Sequence, residues 1–391
     1  MGRPLKIAVA GGGTGGHTQP AVATLSALRS LAAFDAIWIG SGEGVERDVA
    51  LQEGIPFYAV PAGKLRRYLS LQTVTDSARI PVGVAGSLRV LRRYRPDVVF
   101  ATGGFVSVPS VVAARLLKLP SLTHEQTATV GLANRINTRF CSEIALAYES
   151  SRNQIATHSC QVVVTGNPIR ESLFCGDARR AHELFELDPA MPVTYVTGGA
   201  RGAQALNEAV RQGLNELTKF TQVVHQTGPA SANGDYPRLL AAQAELPLEQ
   251  RRRYHVREQI GSELADLYAA TTVVVSRAGA GTVAEIATLG LPSILIPLPG
   301  AGSDEQTKNA EVLARDEAAV LLPQSELTPE SLQGEISRLI YDDEARETIA
   351  ARALRHGHRD AASKLAREIL HVAGYSSRNG ASLSPASPPA P

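Results

Sequence analysis

The sequence has little of the residue patterns that mark several specialised classes of protein. Only 3 of its 391 residues are cysteines, and Cys141, Cys160 and Cys175 show neither a CxxC motif nor Cys/His ligand spacing. This excludes a disulfide scaffold, and we expect three buried thiols in a reducing cytosol. The formal net charge is only +1, so no overall field favours nucleic acid. The sequence therefore predicts no nucleic-acid partner.

Long apolar runs are also missing. No stretch approaches the ~18–20 residues that a membrane-spanning helix needs. The first apolar stretch, Ile7 to Ala10, is too short for the hydrophobic region of a signal peptide and continues into glycines. We therefore expect a cytoplasmic protein, and only the Ser- and Pro-rich tail from Ser376 is predicted to be disordered.

Two alternating periodicities dominate the rest of the sequence. Short β-branched, apolar runs alternate with longer segments of helical period, which predicts an α/β fold of parallel sheets with crossover helices. For 391 residues, two large domains are the simplest partition. The predicted strands are Lys6–Ala10, Ala36–Ile39, Phe57–Val60, Asp97–Ala101, Ser121–Thr123, Glu143–Ala147 and Gln161–Thr165 in the first half, and Val193–Thr197, Thr221–Gln226, Tyr254–Val256, Thr272–Ser276, Ser293–Pro297 and Ala318–Leu322 in the second.

The two halves resemble each other. Lys6–Ala10 runs into GGGTGGH and Val193–Thr197 runs into GGARGAQALN, each a strand followed by a glycine turn and a helix, as at the start of a doubly wound domain. Gly166, Asn167 and Pro168 interrupt the chain between the halves. We predict two Rossmann-like domains facing a cleft, at 1–166 and 167–343, then helices at 344–373 that pack back on the first domain, and a disordered tail at 374–391.

The first glycine loop, Gly11 to Gly16, contains the spacing GxGxxG, which fits a dinucleotide site, a tight turn or an anion-binding loop. A dinucleotide site should have an acidic residue about 20 positions on, but Glu43 comes late and after further glycines. The loop could also be a tight turn packed on its own sheet. Glycines let backbone approach an anion closely, and the next helix offers free N–H groups. His17 lies in that helix's first turn, where we expect a neutral imidazole that can accept a proton.

Polar residues follow two further strands of the first half. ATGGFVSVPS places Gly103 and Gly104 after one strand, and LTHEQTATVGLAN places His124 and Glu125 at the end of another. Glu125 is expected to orient His124 or to take a proton itself, unless these residues only form a polar rim. The segment is not a zinc HExxH motif, because Ala128 stands at the second His position, and no DxD motif occurs. The sequence therefore predicts no metal site.

Two segments of the second half carry further polar candidates. SRAGAGTVAEIATLG predicts a strand, a glycine loop and a helix that carries Glu285. A carboxylate there can accept hydrogen bonds from both hydroxyls of a ribose, although Glu285 could instead pair with a surface cation. In PLPGAGSDEQTKNA, Ser303 or Asp304 is predicted to cap a helix whose first turn carries Glu305 and Gln306. Such side chains can bind the hydroxyls of a sugar.

Taken together, these motifs resemble the MurG family, the N-acetylglucosaminyltransferases of peptidoglycan synthesis that turn lipid I into lipid II. The blocks GGTGGH, KLRRYLS, ATGGFVS, HEQ with GLANR, TGNPIR, GGARGA, HQTG, SRAGAGTVAEIA and DEQTKNA follow the family's order over about residues 5–370. The resemblance implies the GT-B fold and a hexosyltransferase with UDP-N-acetylglucosamine as donor and no cofactor. It also implies a polyprenyl-pyrophosphate-linked acceptor and a peripheral position at the cytoplasmic face of the cell membrane.

The resemblance also implies roles for single residues. His17 is the implied base, with Glu125 as a second candidate, in a single inverting displacement during which Arg170 and helix N-termini stabilise the departing UDP. The residues implied to bind the acceptor pyrophosphate are Gly12, Gly13, Gly103 and Gly104. The implied donor-binding residues are Thr14, Gly15, Gly16, Thr127, Arg170, Ala200, Ile260 (a uracil contact), Ala280, Gly281, Thr282, Val283, Ala284, Glu285, Glu305 and Gln306.

Four motifs depart from the family's pattern. Phe105 stands where tyrosine is usual, Thr127 replaces asparagine, and Glu305 replaces histidine or glutamine. Ala200 cannot replace a serine hydroxyl near phosphate, although Arg201 beside it supplies charge. These departures leave open a GT-B transferase with another acceptor or UDP-sugar, a pseudoenzyme that only binds UDP-sugar and, more distantly, an NAD oxidoreductase.

One stretch of the neutral chain is strongly basic. Between Lys64 and Arg95 the only acid is Asp76, and apolar residues are interleaved with the cations. This pattern predicts a surface that binds anionic lipid headgroups, and a helix with a solvated basic face and a core face is the alternative. The cations are Lys64, Arg66, Arg67, Arg79, Arg89, Arg92, Arg93 and Arg95, and the apolar residues include Leu65, Leu69, Leu71, Ile80, Val82, Val84, Leu88 and Leu91.

Overall fold

The computed structural model describes residues 3–13, 15–42, 44–62, 71–156, 160–300 and 304–375, with backbone alone over 71–79. Strands and helices alternate along these residues. The predicted site residue Thr14, the cap candidate Ser303, the basic residues Lys64, Arg66 and Arg67, and the tail from Ser376 lie outside them.

The first half forms a seven-stranded parallel sheet in the order β3-β2-β1-β4-β5-β6-β7. Its strands are β1 (Leu5–Ala10), β2 (Phe34–Gly40), β3 (Phe57–Ala59), β4 (Val98–Ala101), β5 (Ser121–Glu125), β6 (Glu143–Leu146) and β7 (Gln161–Val164). Its helices are α1 (Gly15–Arg29), α2 (Glu46–Gln52), α3 (Leu71–Tyr94), α4 (Ser107–Leu116) and α5 (Leu132–Asn137), with a 3₁₀ turn at Glu149–Gln154.

The second half forms a six-stranded parallel sheet in the order β10-β9-β8-β11-β12-β13. Its strands are β8 (Val193–Thr197), β9 (Gln222–Gln226), β10 (Tyr254–Arg257), β11 (Val273–Ser276), β12 (Ser293–Leu295) and β13 (Val320–Leu321). The helices are α6 (Ala178–Leu184), α7 (Gln204–Phe220), α8 (Ala230–Asn233), α9 (Asp235–Glu245), α10 (Leu248–Arg251), α11 (Leu264–Ala270), α12 (Ala280–Leu289), α13 (Glu305–Ala314), α14 (Pro329–Tyr341), α15 (Asp343–His356) and α16 (Ala361–Val372), with 3₁₀ turns at Glu171–Cys175 and Gln324–Glu326.

The predicted α/β class with two doubly wound parallel sheets is confirmed, and each predicted strand corresponds to an observed one. The ends differ by at most two residues, as at the sheet edge, where Ala318–Leu322 shortens to Val320–Leu321. In both sheets the strand order reverses, between β1 and β4 and between β8 and β11. Ligands of open α/β sheets bind in the crevice at such a reversal. The fold therefore provides two crevices, each next to a glycine turn.

The last two helices divide between the halves. In α15, Ile349 and Ala353 are buried in the hydrophobic clusters of the second sheet. In α16, Leu365 and Ile369 are fully buried in the cluster that contains β1 residues such as Ile7. The chain thus returns to the first sheet after completing the second, so the two halves are connected by two chain crossings.

Two expectations need correction here. Of the three cysteines only Cys141 is buried, because Cys160 is partly exposed and Cys175 is exposed. In α3, Val84 and Leu88 pack into a core cluster of the first sheet with Leu91, so these apolar residues are not available to a membrane. The neighbouring Arg89, Arg92, Arg93 and Arg95 are exposed. Among the described helices, none combines the length and apolar character that crossing a bilayer requires.

We expect Leu365→Ala to destabilise the first half by about 2–5 kcal/mol, the usual cost of deleting a fully buried leucine side chain. Trp38 is the single tryptophan and is fully buried in the first half, so its fluorescence during urea unfolding reports this half directly. Leu116→Ala, at a residue that is 63% exposed, is the control and should change stability by less than about 0.5 kcal/mol. Equal midpoints for the two variants would contradict the packing of α16 on the first sheet.

Candidate active site

The glycine loop between β1 and α1 is shaped by a buried carboxylate. Glu46, the first residue of α2, is fully buried and accepts hydrogen bonds from the backbone N–H groups of Gly13 and Ser41, both at 2.9 Å. A Cβ on Gly12 would collide with the Glu46 carboxyl group, and Gly13 has a φ of +89°. The Gly13 N–H is thus bonded to Glu46 in this structure and is not free for a phosphate. The implied contact of Gly13 with the acceptor pyrophosphate stays a prediction, and this bond leaves it no free N–H.

His17 lies at the crevice of the first sheet, in the first turn of α1. Its Nδ1 is 2.9 Å from the backbone oxygen of Thr102 and 3.1 Å from Oε1 of Gln126. Both oxygens can only accept, so Nδ1 carries a proton, and in a neutral ring the lone pair is on Nε2. Gly103 and Gly104, with φ of +88° and +73°, form the turn beside the ring, where a Cβ on Gly103 would lie 3.3 Å from His17 Nδ1. Nε2 is therefore the atom that can accept a proton.

Glu125 is the last residue of β5, at the strand end where it is expected. It is 2% exposed, and one carboxylate oxygen accepts from the Thr127 N–H at 3.1 Å and lies 2.8 Å from the Thr127 hydroxyl. The other accepts from the Gly131 N–H at 2.8 Å and from Asn134 Nδ2 at 2.9 Å. Because both oxygens are bonded within the loop after β5, Glu125 organises that loop. The geometry favours His17 over Glu125 as the base.

His124 is not oriented by Glu125, because successive residues of a strand point to opposite faces. Its Nε2 is 3.1 Å from the backbone oxygen of Gly166, to which it donates, at the crossing between the halves. Complete burial lowers the pKa of His124 to about 4. His124 is therefore a neutral residue that ties β5 to the crossing, and its expected catalytic pairing with Glu125 is wrong.

Side chains of both halves meet across the cleft. Asn309 in α13 is fully buried, accepts from the Ala128 N–H at 3.0 Å and donates to the Ala278 oxygen at 3.2 Å. Asn167, at the chain crossing, donates to the Ala280 oxygen at 3.1 Å, at the start of α12. These bonds hold the loop after β5 against α13 and against the loop after β11. The sequence analysis did not identify Asn309, whose one signal is a polar residue at a buried position of an amphipathic helix.

The first turn of α13 brings the predicted sugar-binding residues to this junction. Burial and the nearby negative charge of Glu125 raise the pKa of Glu305. Gln306 accepts from the Leu298 N–H at 2.9 Å, and its amide N–H₂ donates to no acceptor among the described residues, so it can donate to a ligand hydroxyl. Two carboxylates, one from each half, thus approach each other where the crevices meet.

Glu285 on α12 makes polar contacts with Tyr268 and Arg170. It accepts from the Tyr268 hydroxyl at 2.8 Å, while its other oxygen is 4.0 Å from Nη2 of Arg170. Burial raises the pKa of Glu285. The alternative that Glu285 pairs with a cation thus has a partner in Arg170, although the Glu285 side chain is only 18% exposed. Since α12 begins at Ala280, all the residues predicted around Glu285 lie in its first two turns.

Ile260 and Ala200, two other predicted donor-binding residues of the second half, lie in loops that follow its strands. Ile260 donates its backbone N–H to Oε1 of Gln226 at 3.2 Å, at the end of β9. Ala200 and Arg201 are exposed in the glycine turn after β8, at the second crevice. In the described residues no group of three or more His, Cys, Asp or Glu side chains is arranged to hold a metal ion. Predicted site residues join the halves at Ala280, which Asn167 of the chain crossing contacts, and at Glu305, which lies near Glu125.

Comparison with known proteins gives concordant matches. The Glycosyltransferase family 28 N-terminal domain matches residues 7–146 and the Glycosyltransferase family 28 C-terminal domain matches residues 193–365. The UDP-N-acetylglucosamine--N-acetylmuramyl-(pentapeptide) pyrophosphoryl-undecaprenol N-acetylglucosamine transferase of Listeria welshimeri is 35% identical over 371 residues, which cover 94% of this chain and 99% of that protein. The protein of the same name from Treponema pallidum is 37% identical over 349 residues, or 89% and 90% of the two chains.

Solved structures agree with these matches. The crystal structure of Acinetobacter baumannii MurG superposes with a TM-score of 0.72 at 26% identity and covers 94% of this chain and 100% of that one. The UDP-GlcNAc 2-epimerase of Neisseria meningitidis, bound to UDP-GlcNAc, superposes with a TM-score of 0.64 at 17% identity, covering 94% and 99% of the two chains. The second likeness concerns the fold alone.

The raised pKa of Glu305 predicts a pH dependence of stability. A carboxyl whose pKa is higher in the folded state binds more protons there, so the wild type should lose stability as pH rises from 4.5 through the folded pKa. Glu305→Gln removes this loss, so the variant should exceed the wild type in Tm at about pH 8 and lose that advantage near about pH 4. Glu249→Gln, at an exposed residue, is the control. A Tm difference that does not change with pH would contradict the burial of the Glu305 charge.

Proposed function

The chain belongs to glycosyltransferase family 28 and to its MurG group, and on that premise we propose that it transfers N-acetylglucosamine from UDP-N-acetylglucosamine to lipid I, forming lipid II. Lipid I is undecaprenyl-pyrophosphoryl-MurNAc-pentapeptide. The observation that carries this proposal is the name shared by relatives that are 35–37% identical over nearly the whole chain. The names of these relatives favour this reaction over the alternatives of another acceptor or UDP-sugar, a pseudoenzyme or an NAD oxidoreductase.

The cleft geometry supports an inverting displacement with His17 as base. An acceptor hydroxyl attacks the anomeric carbon of the donor sugar and gives its proton to Nε2 of His17, while the bond from that carbon to the phosphate oxygen breaks and UDP leaves with the electron pair. Nδ1 of His17 donates to the Thr102 oxygen, which orients the ring and stabilises the imidazolium that forms. Arg170, which lies 4.0 Å from Glu285, and the N-terminus of α12 would stabilise the charge on the departing UDP.

The second half is the proposed donor side. Glu285 would accept hydrogen bonds from the ribose hydroxyls, and the Tyr268 hydroxyl holds its carboxylate in position at 2.8 Å. Ile260 lies at the end of the neighbouring loop as the proposed uracil contact. Gln306 and Glu305 at the start of α13 would bind the sugar hydroxyls. Glycines 103 and 104 with Gly12 belong to the proposed acceptor side.

We also place the enzyme at the inner face of an anionic membrane. The exposed arginines at the C-terminal end of α3 and the exposed Val82, at 58%, support this contact. The apolar residues of α3 that pack into the core do not take part, so the proposed attraction is mainly electrostatic.

UDP release from UDP-N-acetylglucosamine in the presence of lipid I tests the function, and His17→Ala should lower the turnover by about 10²–10⁴ because a positioned base is lost. UDP affinity, measured by calorimetry, should stay unchanged. His371→Ala, the same change at an exposed histidine, is the control. Turnover of His17→Ala within about threefold of wild type would exclude His17 as the base.

Glu285→Ala should weaken UDP binding by roughly 10- to 150-fold, since a hydrogen bond to a charged group contributes about 1.5–3 kcal/mol. Wild type should prefer UDP over 2′-deoxy-UDP, and the variant should lose most of that preference. Tyr268→Phe keeps the carboxylate and should retain the preference. A Glu285→Ala protein that still discriminates fully would exclude Glu285 as the ribose contact.

Replacing Arg89, Arg92 and Arg93 with serine should weaken binding to anionic vesicles by about 3 kcal/mol, at about 1 kcal/mol per cation near the surface. The matched control replaces the exposed arginines Arg179, Arg252 and Arg355, with the same change in net charge. Vesicle sedimentation measures both. Equal losses in the two triple variants would mean that net charge, and not the surface of α3, determines binding.

A further inference from the structure

Glu46 is a buried carboxylate that neither the proposed reaction nor the proposed ligand contacts employ. It is 0% exposed, and its Oε2 accepts from the Gly13 N–H at 2.9 Å. Its Oε1 accepts from the Ser41 N–H at 2.9 Å and from the Ser41 hydroxyl at 2.6 Å. Burying a carboxylate is costly unless hydrogen bonds replace its water, so these donors and the carboxylate fix one another in place.

The glycines around Glu46 make room for its side chain. A Cβ on Gly40 would lie 2.6 Å from Glu46 Cγ, and one on Gly44 or Gly12 would collide with the carboxyl group itself. Gly40 and Gly44 therefore leave room for this side chain on its way to the loop after β1. Glu46 and Gly13 are 33 residues apart in sequence, so the bond joins two loops at the same edge of the sheet.

The same loop is held from a second side. Trp38 in β2 is fully buried and donates its indole N–H to the Gly11 oxygen at 3.0 Å. Gly12 lies between Gly11 and Gly13, and its backbone oxygen packs against the turn of Gly103 and Gly104. A Cβ on Gly104 would lie 2.6 Å from that oxygen. The loop then continues towards α1 and His17. The conformation of the Gly11–Gly13 loop therefore determines the contact of Gly12 with Gly104 and the start of α1, the helix that carries the proposed base.

From these contacts we infer that Glu46 is a positioning residue for the acceptor side of the cleft: it holds the Gly11–Gly13 loop so that Gly12, Gly104 and His17 meet the pyrophosphate and sugar of the acceptor. The inference rests on the proposed function. Glu46 does not touch substrate, and its effect passes through the Gly13 N–H.

Glu46→Gln is the direct test, because the amide has one acceptor oxygen where the carboxylate has two, and its N–H₂ group would oppose an N–H donor. We expect kcat/KM for lipid I to fall at least about tenfold, as for one lost hydrogen bond to a charged group. UDP affinity, which depends on the second half, should stay within about twofold of wild type. The Trp38 indole N–H resonance, the only one in the chain, should shift because Gly11 moves.

Ser41→Ala is the matched control, since it removes the hydroxyl bond to Glu46 and leaves the Gly13 bond. It should keep kcat/KM for lipid I within about twofold. A Glu46→Gln protein with wild-type kcat/KM and an unmoved Trp38 resonance would overturn the inference, while a wild type that binds UDP but releases none from its donor with lipid I would overturn the proposed function instead.

If Glu46→Gln does not fold, the wild type provides the second test. The Gly13 amide, bonded to a buried carboxylate, should exchange slowly with solvent and keep its chemical shift when a soluble lipid I analogue binds. The Gly12 amide should shift on binding. Fast exchange of the Gly13 amide, or a shift as large as that of Gly12, would overturn the inference.

Discussion

In a parallel sheet the loops after two neighbouring strands diverge wherever the strand order reverses, and the rest of this structure depends on the crevice that the divergence leaves. The reversal occurs twice, between β1 and β4 and between β8 and β11. In the first sheet the diverging loops carry the glycine turns around His17, and in the second they lead to the N-terminus of α12. Free backbone N–H groups and small residues are thus gathered where an anionic ligand can approach.

Two crevices form one cleft only because polar bonds join the halves. Asn309 bonds the loop after β5 of the first half and the loop after β11 of the second at the same time. His124 and Asn167 tie the chain crossing to both sides, and α16 returns to the first sheet. The first domain therefore includes α16, which follows the whole second domain in sequence. The hydrophobic core of the first domain is complete only when α16 packs on it.

The sequence predicts the sheets well and the site in part. Strands could be located because each is a short apolar run between turn residues, and the glycine turns identified the crevices and His17. The settings of Glu46 and Asn309 could not be predicted, because each is buried by partners 33 and 181 residues away. The bonding of Glu125 could not be predicted for a related reason: it lies at the end of β5 as expected, but its partners Thr127, Gly131 and Asn134 reach it through a fold of the following segment that has no signal in the sequence.

The carboxylates of the cleft separate into two groups by how their oxygens are bonded. Glu46 and Glu125 have both oxygens bonded to donors of the protein, from two loops for Glu46 and from the segment after β5 for Glu125, so they fix backbone and have little left to offer a ligand. Glu285 and Glu305 are buried with fewer such partners, and burial raises the pKa of each. A hydroxyl-rich ligand would supply the missing donors and favour the ionised form. Glu285 and Glu305, with fewer bonds in the described residues, are thus where we expect ribose and sugar hydroxyls, and Glu46 and Glu125 hold the backbone around them.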